Sequence, residues 1–547
     1  MPLTASATLP NLVRGQARRF GERPFIKLGD ERITYAEAEA RSARLARGLL
    51  ATGVGKGTRV GVLFPNGPGW VVAWLAAARI GAIVVPLNTF YKPRELGWVL
   101  AHADVDTLLT VSRFLGNDYL ERLETFAPSL GGRSALPLFV PELPRLRGVC
   151  VWGDTGERTW TRAPHALDAA LAARDEIDDA FLEAVEATVA PADPMLVIYS
   201  SGSTADPKGA IHTHGAVLRH SENLNAFRDL EASDRIFSPM PFFWVGGLVF
   251  TLLAAMHRGA SLICEEVFEP GETLALLERE RVTIAAGWPH YSKAMRAHPT
   301  FAQRDLSAIR GGNLYDMLPE ALRPLDPELR SNSLGMTETC GPHAIGRMDV
   351  DLPESLRGSF GRAAPGVEHK VVAPGSDAPL PADEAGEICV RGASLMQGLY
   401  KVEREDTFDR DGFYHTGDGG WLSEDGHLFF QGRLGDTIKT AGANVAPREV
   451  EVALEALPEV ASAFVIGVPD ARRGQDVAAA VVLERGRALD AADCQAALRR
   501  DLSAYKVPRH VLFFEKSELP FTDSGKIDKR RLEPLLFERI SDVRRAR

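Results

Sequence analysis

A loop rich in small hydroxyl residues, Tyr199–Gly209, is the segment of this chain best suited to bind a polyanion. It reads Tyr-Ser-Ser-Gly-Ser-Thr-Ala-Asp-Pro-Lys-Gly and follows the apolar run Met195–Ile198, which predicts a buried strand. Ser, Thr and Gly allow backbone N–H groups and hydroxyls to approach phosphate oxygens closely, and Lys208 supplies a cation. Because the Walker A order is absent, the sequence predicts a phosphate-binding loop of another kind.

Three further turns carry single charged residues. Gly335–Thr339 reads Gly-Met-Thr-Glu-Thr, Tyr414–Asp418 reads Tyr-His-Thr-Gly-Asp, and Thr522–Lys529 reads Thr-Asp-Ser-Gly-Lys-Ile-Asp-Lys. A carboxylate in the first turn suits Mg²⁺, and the two acceptor oxygens of an Asp suit neighbouring hydroxyls. A Lys in the third turn can offset the repulsion between two anions that must meet. Alone, the first turn also reads as a helix N-cap.

Taken together and in this order, the four segments resemble motifs of the adenylate-forming superfamily. This superfamily contains acyl-CoA synthetases, firefly luciferase and peptide-synthetase adenylation domains, and the similarity spans nearly the whole chain. The resemblance to the acyl-CoA synthetase branch implies an ATP-dependent ligase of carboxylic acid and coenzyme A. Such an enzyme forms acyl-AMP plus pyrophosphate, and then acyl-CoA plus AMP.

The resemblance implies a role for each residue that matches a family motif. Catalysis falls to Lys526, Thr337 and Glu338, with Glu338 as the Mg²⁺ ligand. ATP binding falls to Ser200, Ser201, Gly202, Ser203, Thr204, Lys208, Gly312, Asn313, Leu334, Gly335, Thr337, Asp418, Arg433 and Lys526. The thioester step falls to Lys439, Ala441 and Gly442, and the hinge to Gly435.

Three positions depart from the family's pattern. Leu334 stands where a Tyr commonly packs on adenine, so we expect aliphatic contact there. The segment Gly311–Leu314 reads Gly-Gly-Asn-Leu in place of Gly-Gly-Ala-Pro. Gly435 stands where Asp or Lys is common, and a Gly permits more backbone conformations, so a domain rotation at this hinge is feasible and less restrained.

An aromatic and glycine cluster is the candidate acyl pocket. Trp244 stands where the family usually carries His, Gly246 and Gly247 leave room for a bulky group, and Trp288 adds a second wall. Such clusters are also typical of core packing, and that alternative stays open. Since no charged residue is evident for a second polar group, the sequence favours an apolar acid: fatty, aryl or alicyclic.

Alternating apolar strands and helical patterns predict an α/β fold. Arg59–Phe64 and Ala82–Pro86 read as strands around a helix at Trp70–Ile80, which is βαβ rhythm and indicates a parallel sheet. We expect a large N-terminal domain (1–432) of parallel-rich layered sheets with a β-rich subdomain. A hinge (433–436) and a small mobile α+β C-terminal domain (437–547) follow.

Composition excludes several classes of protein. The net charge of −10 argues against nucleic-acid binding, because no excess of cations could neutralise a phosphate backbone. No apolar run is long enough for a transmembrane segment, and the five scattered Cys fit a reducing cytoplasm. We therefore expect a cytoplasmic enzyme whose partners are ATP, coenzyme A and a small acid, with a homodimer left open.

Two other functions are compatible with the motifs. One is an adenylating enzyme that delivers the acyl group to a carrier protein or an amine. The other is a catalytically silent nucleotide- or acyl-binding homologue, for which only Leu334, Asn313 and Gly435 argue.

Overall fold

The computed structural model describes residues 7–200, 207–436, 438–440, 443–445, 447–470, 473–500, 502, 506–522 and 526–545. The chain divides into two compact units. The first unit comprises Met1–Glu368 and Val390–Tyr414, and the second comprises His369–Cys389 and His415–Arg547. The second unit thus joins the β-rich segment to the C-terminal part. The predicted boundary and hinge at 433–436 stay predictions.

Two large sheets form the layers of the first unit. One has eight strands, in the spatial order Gly398–Leu399, Lys208–Thr213, Pro194–Ser200, Ile83–Pro86, Arg59–Leu63, Thr107–Val111, Gly148–Trp152 and Thr161–Arg162. The other has five strands, in the order Ile284–Ala285, Arg235–Phe237, Ser261–Cys264, Pro24–Leu28 and Glu31–Thr34. Pairing is parallel except for the two pairs that involve Lys208–Thr213 and the pair between Pro24–Leu28 and Glu31–Thr34.

Helices and short ribbons complete the first unit. The small ribbons are Leu334–Met336 with Gly341–Ile345 and Arg362–Ala363, and Arg113–Phe114 with Asn117–Asp118. The α-helices are Leu9–Phe20, Tyr35–Ala51, Pro68–Arg79, Pro93–His102, Tyr119–Phe126, His165–Ala172, Asp179–Ala187, His214–Asn225, Val245–Gly247, Leu253–Arg258, Pro270–Arg279 and Pro289–Arg296. A π-helical turn spans Leu248–Leu252. The 3-10 turns are Pro128–Gly132, Phe301–Gln303, Tyr315–Met317, Glu320–Leu322, Pro327–Leu329, Glu354–Leu356 and Arg404–Asp406.

The helix Pro68–Arg79 shows how sequence sets a layer. Its residues are apolar on all sides, and it contacts strands of both large sheets, so it lies between them. Trp70 and Trp74 on this helix are fully buried. The neighbouring helix Tyr35–Ala51 begins at Thr34, where a capping box with Glu37 satisfies the first backbone N–H groups.

The second unit is built on two antiparallel-rich sheets. One has the strands Val367–Val372, Gly386–Gly392, Tyr414–Leu422 and Leu428–Arg433 in that order. The other has Ala443–Val445, Ile438–Thr440, Gly474–Leu483 and Val460–Asp470, with His510–Phe513 parallel to Gly474–Leu483. The helices are Pro447–Glu455, Ala491–Leu498 and Lys529–Arg545, and the 3-10 turns are Leu434–Asp436 and Lys516–Glu518.

Alternation along the hairpin 460–483 gives the second unit two cores. Side chains of a strand point to opposite faces in turn, so Val465 and Val481 enter one apolar cluster and Ile466 and Val482 the other. The C-terminal helix covers the second face through residues such as Leu532.

The predicted fold class is confirmed, with parallel-rich layered sheets, a β-rich segment and a small α+β part. Two local features lie outside the elements expected from the sequence: the strand Gly148–Trp152, and the π turn Leu248–Leu252 within the helical run from Val245 to Arg258. Within the described residues, no helix combines the length and the apolar character that crossing a bilayer requires.

Candidate active site

The predicted phosphate loop connects two antiparallel strands. Ser200 ends one strand, Lys208 begins the next, and the two residues pair in register. Lys208 is exposed to solvent. Ser201, Gly202, Ser203 and Thr204 lie outside the described residues. The ends of the loop are therefore fixed by a β-ladder at the edge of the eight-stranded sheet.

Ser200 contacts the Gly-Met-Thr-Glu-Thr turn. Its hydroxyl donates to Oε1 of Glu338 at 3.3 Å, and the Glu338 residue is buried. The buried His212, on the strand after the loop, lies 2.8 Å through Nε2 from the carbonyl oxygen of Thr337. Burial lowers the pKa of His212 to about 4, so the neutral ring donates to that carbonyl at pH 7. Both ends of the predicted phosphate loop are thus tied to this turn.

The Thr-Glu-Thr segment forms a hairpin turn and no helix begins there, so the N-cap interpretation was wrong. The strands Leu334–Met336 and Gly341–Ile345 flank it, and the Thr339 hydroxyl donates to the Gly341 carbonyl at 2.7 Å. A Cβ at Gly335 would lie 2.4 Å from that same carbonyl oxygen. Glycine is therefore needed at Gly335 for the two strands to approach. Leu334 is half-buried.

In the second unit, Asp418 pairs with Arg433 across two neighbouring strands. The two residues are in register, and Nε of Arg433 lies 2.9 Å from Oδ1 of Asp418. The Asp418 side chain is only 6% exposed, whereas that of Arg433 is 53% exposed. Arg433 also donates through Nη1 to the Thr416 carbonyl at 2.7 Å, and the exposed part of its guanidinium can meet a ligand.

A carboxylate that sequence reasoning missed supports the Tyr-His-Thr-Gly-Asp turn. Oε1 of Glu387 accepts the backbone N–H of Gly417 at 3.0 Å, and Oε2 lies 2.9 Å from Nδ1 of His415. Gly417 has a φ of +71°, which favours glycine. Glu387 thus fixes the turn that carries Asp418. Its one sequence signal is an acidic residue directly before the apolar run Ile388–Val390.

Lys526 lies at the end of a closed turn in the second unit. Its backbone N–H donates to the Thr522 hydroxyl, and its carbonyl accepts the Thr522 N–H at 2.7 Å. Partial removal from water lowers the pKa of the exposed Lys526. The positive charge of Arg433 lowers it further, and the negative charge of Asp418 opposes both. The charges of two other predicted site residues, Arg433 and Asp418, therefore act on Lys526 within the second unit.

The predicted thioester loop is described only in part. Lys439 belongs to the strand Ile438–Thr440, whereas Ala441 and Gly442 lie outside the described residues. Gly435 is exposed in the 3-10 turn Leu434–Asp436, and no atom lies near the position of a Cβ there.

Aromatic rings connect the predicted acyl-pocket residues in the first unit. The half-buried Trp244 and Trp288 lie with ring centroids 5.8 Å apart, and Trp288 stacks on Tyr291 at 5.8 Å. The two glycines differ. A Cβ at Gly247 would lie 2.0 Å from a backbone oxygen of Pro241, whereas one at Gly246 would meet only a Met side chain at 3.1 Å. Gly247 therefore serves a close backbone approach.

Asn313, one of the departures from the family's pattern, holds the segment that carries Trp288, a predicted acyl-pocket residue. Its Oδ1 accepts the Gly287 N–H at 2.9 Å, and its Nδ2 donates to the Gly287 carbonyl at 2.8 Å. Gly287 directly precedes Trp288. The Asn313 side chain therefore adds two hydrogen bonds to the backbone bridge between Ile284 and Gly311. Gly312, with φ +110°, lies so close to the same strand that a Cβ would reach the Ala285 carbonyl at 2.0 Å.

Several known proteins are similar to this chain in sequence and in fold. A family model described as AMP-binding enzyme matches residues 13–400, and one described as AMP-binding enzyme C-terminal domain matches residues 449–526. A feruloyl-CoA synthase from an Amycolatopsis species is 34% identical over 94% of this chain and 96% of its own length. A ligase from Mycobacterium tuberculosis, named for coenzyme A and a methyl-dioxo-octahydroindenyl propanoyl group, is 33% identical over 96% of this chain and 99% of its own.

Among solved structures, the anthranilate CoA ligase AuaEII in complex with anthranoyl-AMP superimposes with a TM-score of 0.81. It is 23% identical and covers 98% of each chain, so it shares the fold. The matches of the family models and of the two relatives extend over nearly all of the sequence. The chain therefore belongs to the AMP-binding enzyme family, in its acyl-CoA synthetase branch.

Proposed function

We propose that this acyl-CoA ligase activates an apolar, ring-bearing carboxylic acid as acyl-AMP and transfers the acyl group to coenzyme A. The observation that carries the adenylation step is the contact between Ser200 and Glu338. It joins the predicted phosphate loop to the predicted metal and α-phosphate turn. The names of the two relatives support a ring-bearing acid, since one refers to a feruloyl group and the other to a propanoyl group on a bicyclic ring.

In the first half-reaction, an oxygen of the acid attacks the α-phosphorus of ATP and pyrophosphate leaves. The strand ends at Ser200 and Lys208 hold the loop that binds the β- and γ-phosphates. Thr337 hydrogen-bonds the α-phosphate, and Asp418 with Arg433 binds the ribose. The Lys526 ammonium contacts both the carboxylate and the α-phosphate, and so offsets the charge that builds up as they approach.

Magnesium fits the residues at the turn. The Glu338 carboxylate and the Ser200 hydroxyl place two oxygen atoms 3.3 Å apart. Mg²⁺ prefers oxygen ligands and commonly combines a carboxylate with phosphate oxygens. Glu338 would hold the ion, which neutralises phosphate charge when bound. His212 orients the turn by donating to the Thr337 carbonyl.

In the second half-reaction, the sulfur of coenzyme A attacks the acyl carbon and AMP leaves. Lys439, Ala441 and Gly442 serve this step by resemblance to the family's pantetheine loop. Gly435 absorbs the backbone change when the C-terminal domain rotates between the two steps.

A panel of acids tests the proposal most directly. Pyrophosphate release is measured for fatty, aryl and alicyclic acids with ATP and Mg²⁺, and the products are identified by mass spectrometry with and without coenzyme A. We expect AMP and acyl-CoA from ring-bearing acids, and acyl-AMP when coenzyme A is omitted. Release of AMP without a thioester would support transfer to another acceptor. If no acid in the panel leads to pyrophosphate, the proposed activity is refuted.

Two variants separate the half-reactions. Lys526→Ala should abolish acyl-AMP formation and leave thioester formation from supplied acyl-AMP, and Lys439→Ala should do the opposite. Single-turnover assays of each step decide between the outcomes. Equal loss of both steps in each variant would contradict the division of labour between these lysines.

A further inference from the structure

A cavity of about 370 Å³ lies in the first unit beside the segment predicted to frame the nucleotide. One wall is the segment 311–313, and the floor is apolar, with Ile236, Phe250, Ile284 and Ala286. None of the four predicted acyl-pocket residues lines it, although Asn313 both lines it and clamps the strand before Trp288. Asn313 thus contacts both the cavity and the segment that carries Trp288.

Arg228 is the unusual residue of this cavity. Its guanidinium carbon lies 3.9 Å from the ring centroid of Phe250, and it donates to the Phe250 carbonyl and, at 2.6 Å, to Oδ1 of Asn225. Its Nε is buried without a hydrogen-bond partner. Of the five N–H donors of a guanidinium, these two bonds satisfy only two. A cation with unused donors therefore lies beside the apolar floor of a cavity whose lining also includes Asp229, Asp349 and Asp351.

Two of the three other arginines that line the cavity are ion-paired with carboxylates. Arg310 pairs with Asp234 at 2.7 Å, Arg330 pairs with Asp351 at 2.6 Å, and Arg323 donates to a backbone carbonyl at 2.8 Å. Among the described residues, no carboxylate lies within ion-pairing distance of Arg228. The closest compensation is indirect, through Asn225, whose amide also donates to Glu222 at 3.3 Å.

Removal from water makes it costly for Arg228 to lack hydrogen-bond acceptors. Removal from water and repulsion by Arg258 lower the pKa of Arg228 to about 9, while Glu222 opposes them, so the group stays cationic at pH 7. A buried charge with unmet donors is costly unless an oxygen acceptor completes its shell. An acid whose far end brings such an oxygen would recover this cost on binding, whereas a hydrocarbon end would not.

We propose that Arg228 selects acids with an oxygen acceptor, such as a ring ketone, at the end distant from the reacting carboxyl group. This inference rests on the proposed function and deepens it, because it names the substrate class that the apolar floor and the Arg228 guanidinium suit together. The body of the acid packs on Phe250 and Ile284, and its distal oxygen accepts from the guanidinium. This revises the sequence-based expectation that no charged residue serves a second polar group.

A matched pair of acids tests the proposal on the wild-type enzyme. 3-(4-Oxocyclohexyl)propanoate and 3-cyclohexylpropanoate differ only by the ring carbonyl. We expect kcat/KM for pyrophosphate release to be roughly ten- to a hundredfold higher for the keto acid, since a site built to hydrogen-bond an oxygen rejects the analogue that lacks it. Equal values for the two acids would overturn the inference while leaving the ligase activity intact. Absence of pyrophosphate release with every acid would instead refute the proposed function.

Variants assign the preference to Arg228. Arg228→Met should remove most of the preference by lowering kcat/KM for the keto acid, with the cyclohexyl acid changed less than about threefold. Arg323→Met, which removes another arginine from the same cavity, should keep the wild-type preference. If Arg228→Met retains the preference, the proposal is wrong. Should that variant fold poorly, Arg228→Lys keeps the charge but loses the planar fork, and it should show a reduced preference.

Discussion

The coupling between Lys526 and the Asp418–Arg433 pair gives the candidate site a titratable element. Removal from water and the positive charge of Arg433 lower the pKa of the Lys526 ammonium, and Asp418 is already engaged by Arg433 at 2.9 Å. In the proposed mechanism, only the protonated lysine can offset the carboxylate and the phosphate. The pH at which this ammonium loses its proton should therefore limit adenylation on the alkaline side.

The alkaline limb of adenylation should lie below the pH at which an ordinary lysine titrates, because the folded pKa of Lys526 is lowered. Arg433→Gln removes the repulsion and frees Asp418, so the pKa should rise and the limb should move to higher pH. Lys526→Ala should abolish measurable adenylation, a loss of at least about a hundred- to a thousandfold, so that no alkaline limb remains. The measurement is kcat for acyl-AMP formation against pH. An alkaline limb unchanged in Arg433→Gln would contradict the coupling.

Residue types alone could identify most of the charged groups of the site but not their supports. Glu338, Asp418 and Lys526 are recognisable because their motifs are local in sequence. Glu387 and His212 were missed, since each acts on a turn through a contact that only the tertiary fold creates. Such contacts join residues far apart in the chain and leave no spacing pattern to read.

At the scale of elements, the segment before the π turn constrains backbone packing. Gly247 is buried against the carbonyl of Pro241, and Asn66 holds the same segment by accepting from the Phe242 N–H at 2.8 Å and donating to the Met240 carbonyl at 2.9 Å. Trp244 lies within this segment, between Phe242 and Gly247. The position of the aromatic wall therefore depends on the tight approach at Gly247.

Gly247→Ala and Gly246→Ala form a matched pair on this element. A Cβ at Gly247 would meet backbone atoms of Pro241 at 2.0 and 2.4 Å, so we expect a loss of roughly 1–3 kcal/mol in unfolding free energy and a raised KM for the acid. A Cβ at Gly246 would meet only the flexible Met240 side chain at 3.1 Å, so it should cost much less. Denaturant midpoints and acid KM values check both. Equal effects of the two substitutions would contradict the close-approach role.

Elements with strong local periodicity were predicted closely, and the rest were not. The strand expected at Arg59–Phe64 spans Arg59–Leu63, and the helix expected at Trp70–Ile80 spans Pro68–Arg79. The strand Gly148–Trp152 was missed because Gly- and Pro-rich flanks hid a run that only its pairing with Thr107–Val111 stabilises. Hydropathy could not reveal the π turn either, since an α-helix and a π-helix bury the same apolar residues there.

At the scale of the whole molecule, buried histidines make the first unit sensitive to acid. His212, His214 and His220 are buried, and the His257 side chain is only 4% exposed. Burial lowers the pKa of the first three to about 4 and that of His257 to about 3. Each stays neutral in the folded state, whereas in the unfolded chain each takes up a proton below its ordinary pKa of about 6.5.

Because the pKa values of these histidines are depressed in the folded state, their contribution to the unfolding free energy is fully present above about pH 6.5. It is lost as the pH falls toward 4. At pH 5, each histidine should lower the unfolding free energy by up to about 2 kcal/mol relative to pH 7.5. Calorimetric or urea unfolding from pH 7.5 to 5 should therefore show the unfolding free energy falling with pH.

Two variants test this assignment. The slope of unfolding free energy against pH should decrease by about one proton in His214→Asn, which retains an acceptor for the Leu9 N–H. His165→Asn, at an exposed position, should leave the slope unchanged. A flat profile over this range, or equal slopes for both variants, would show that the buried rings do not govern the acid response.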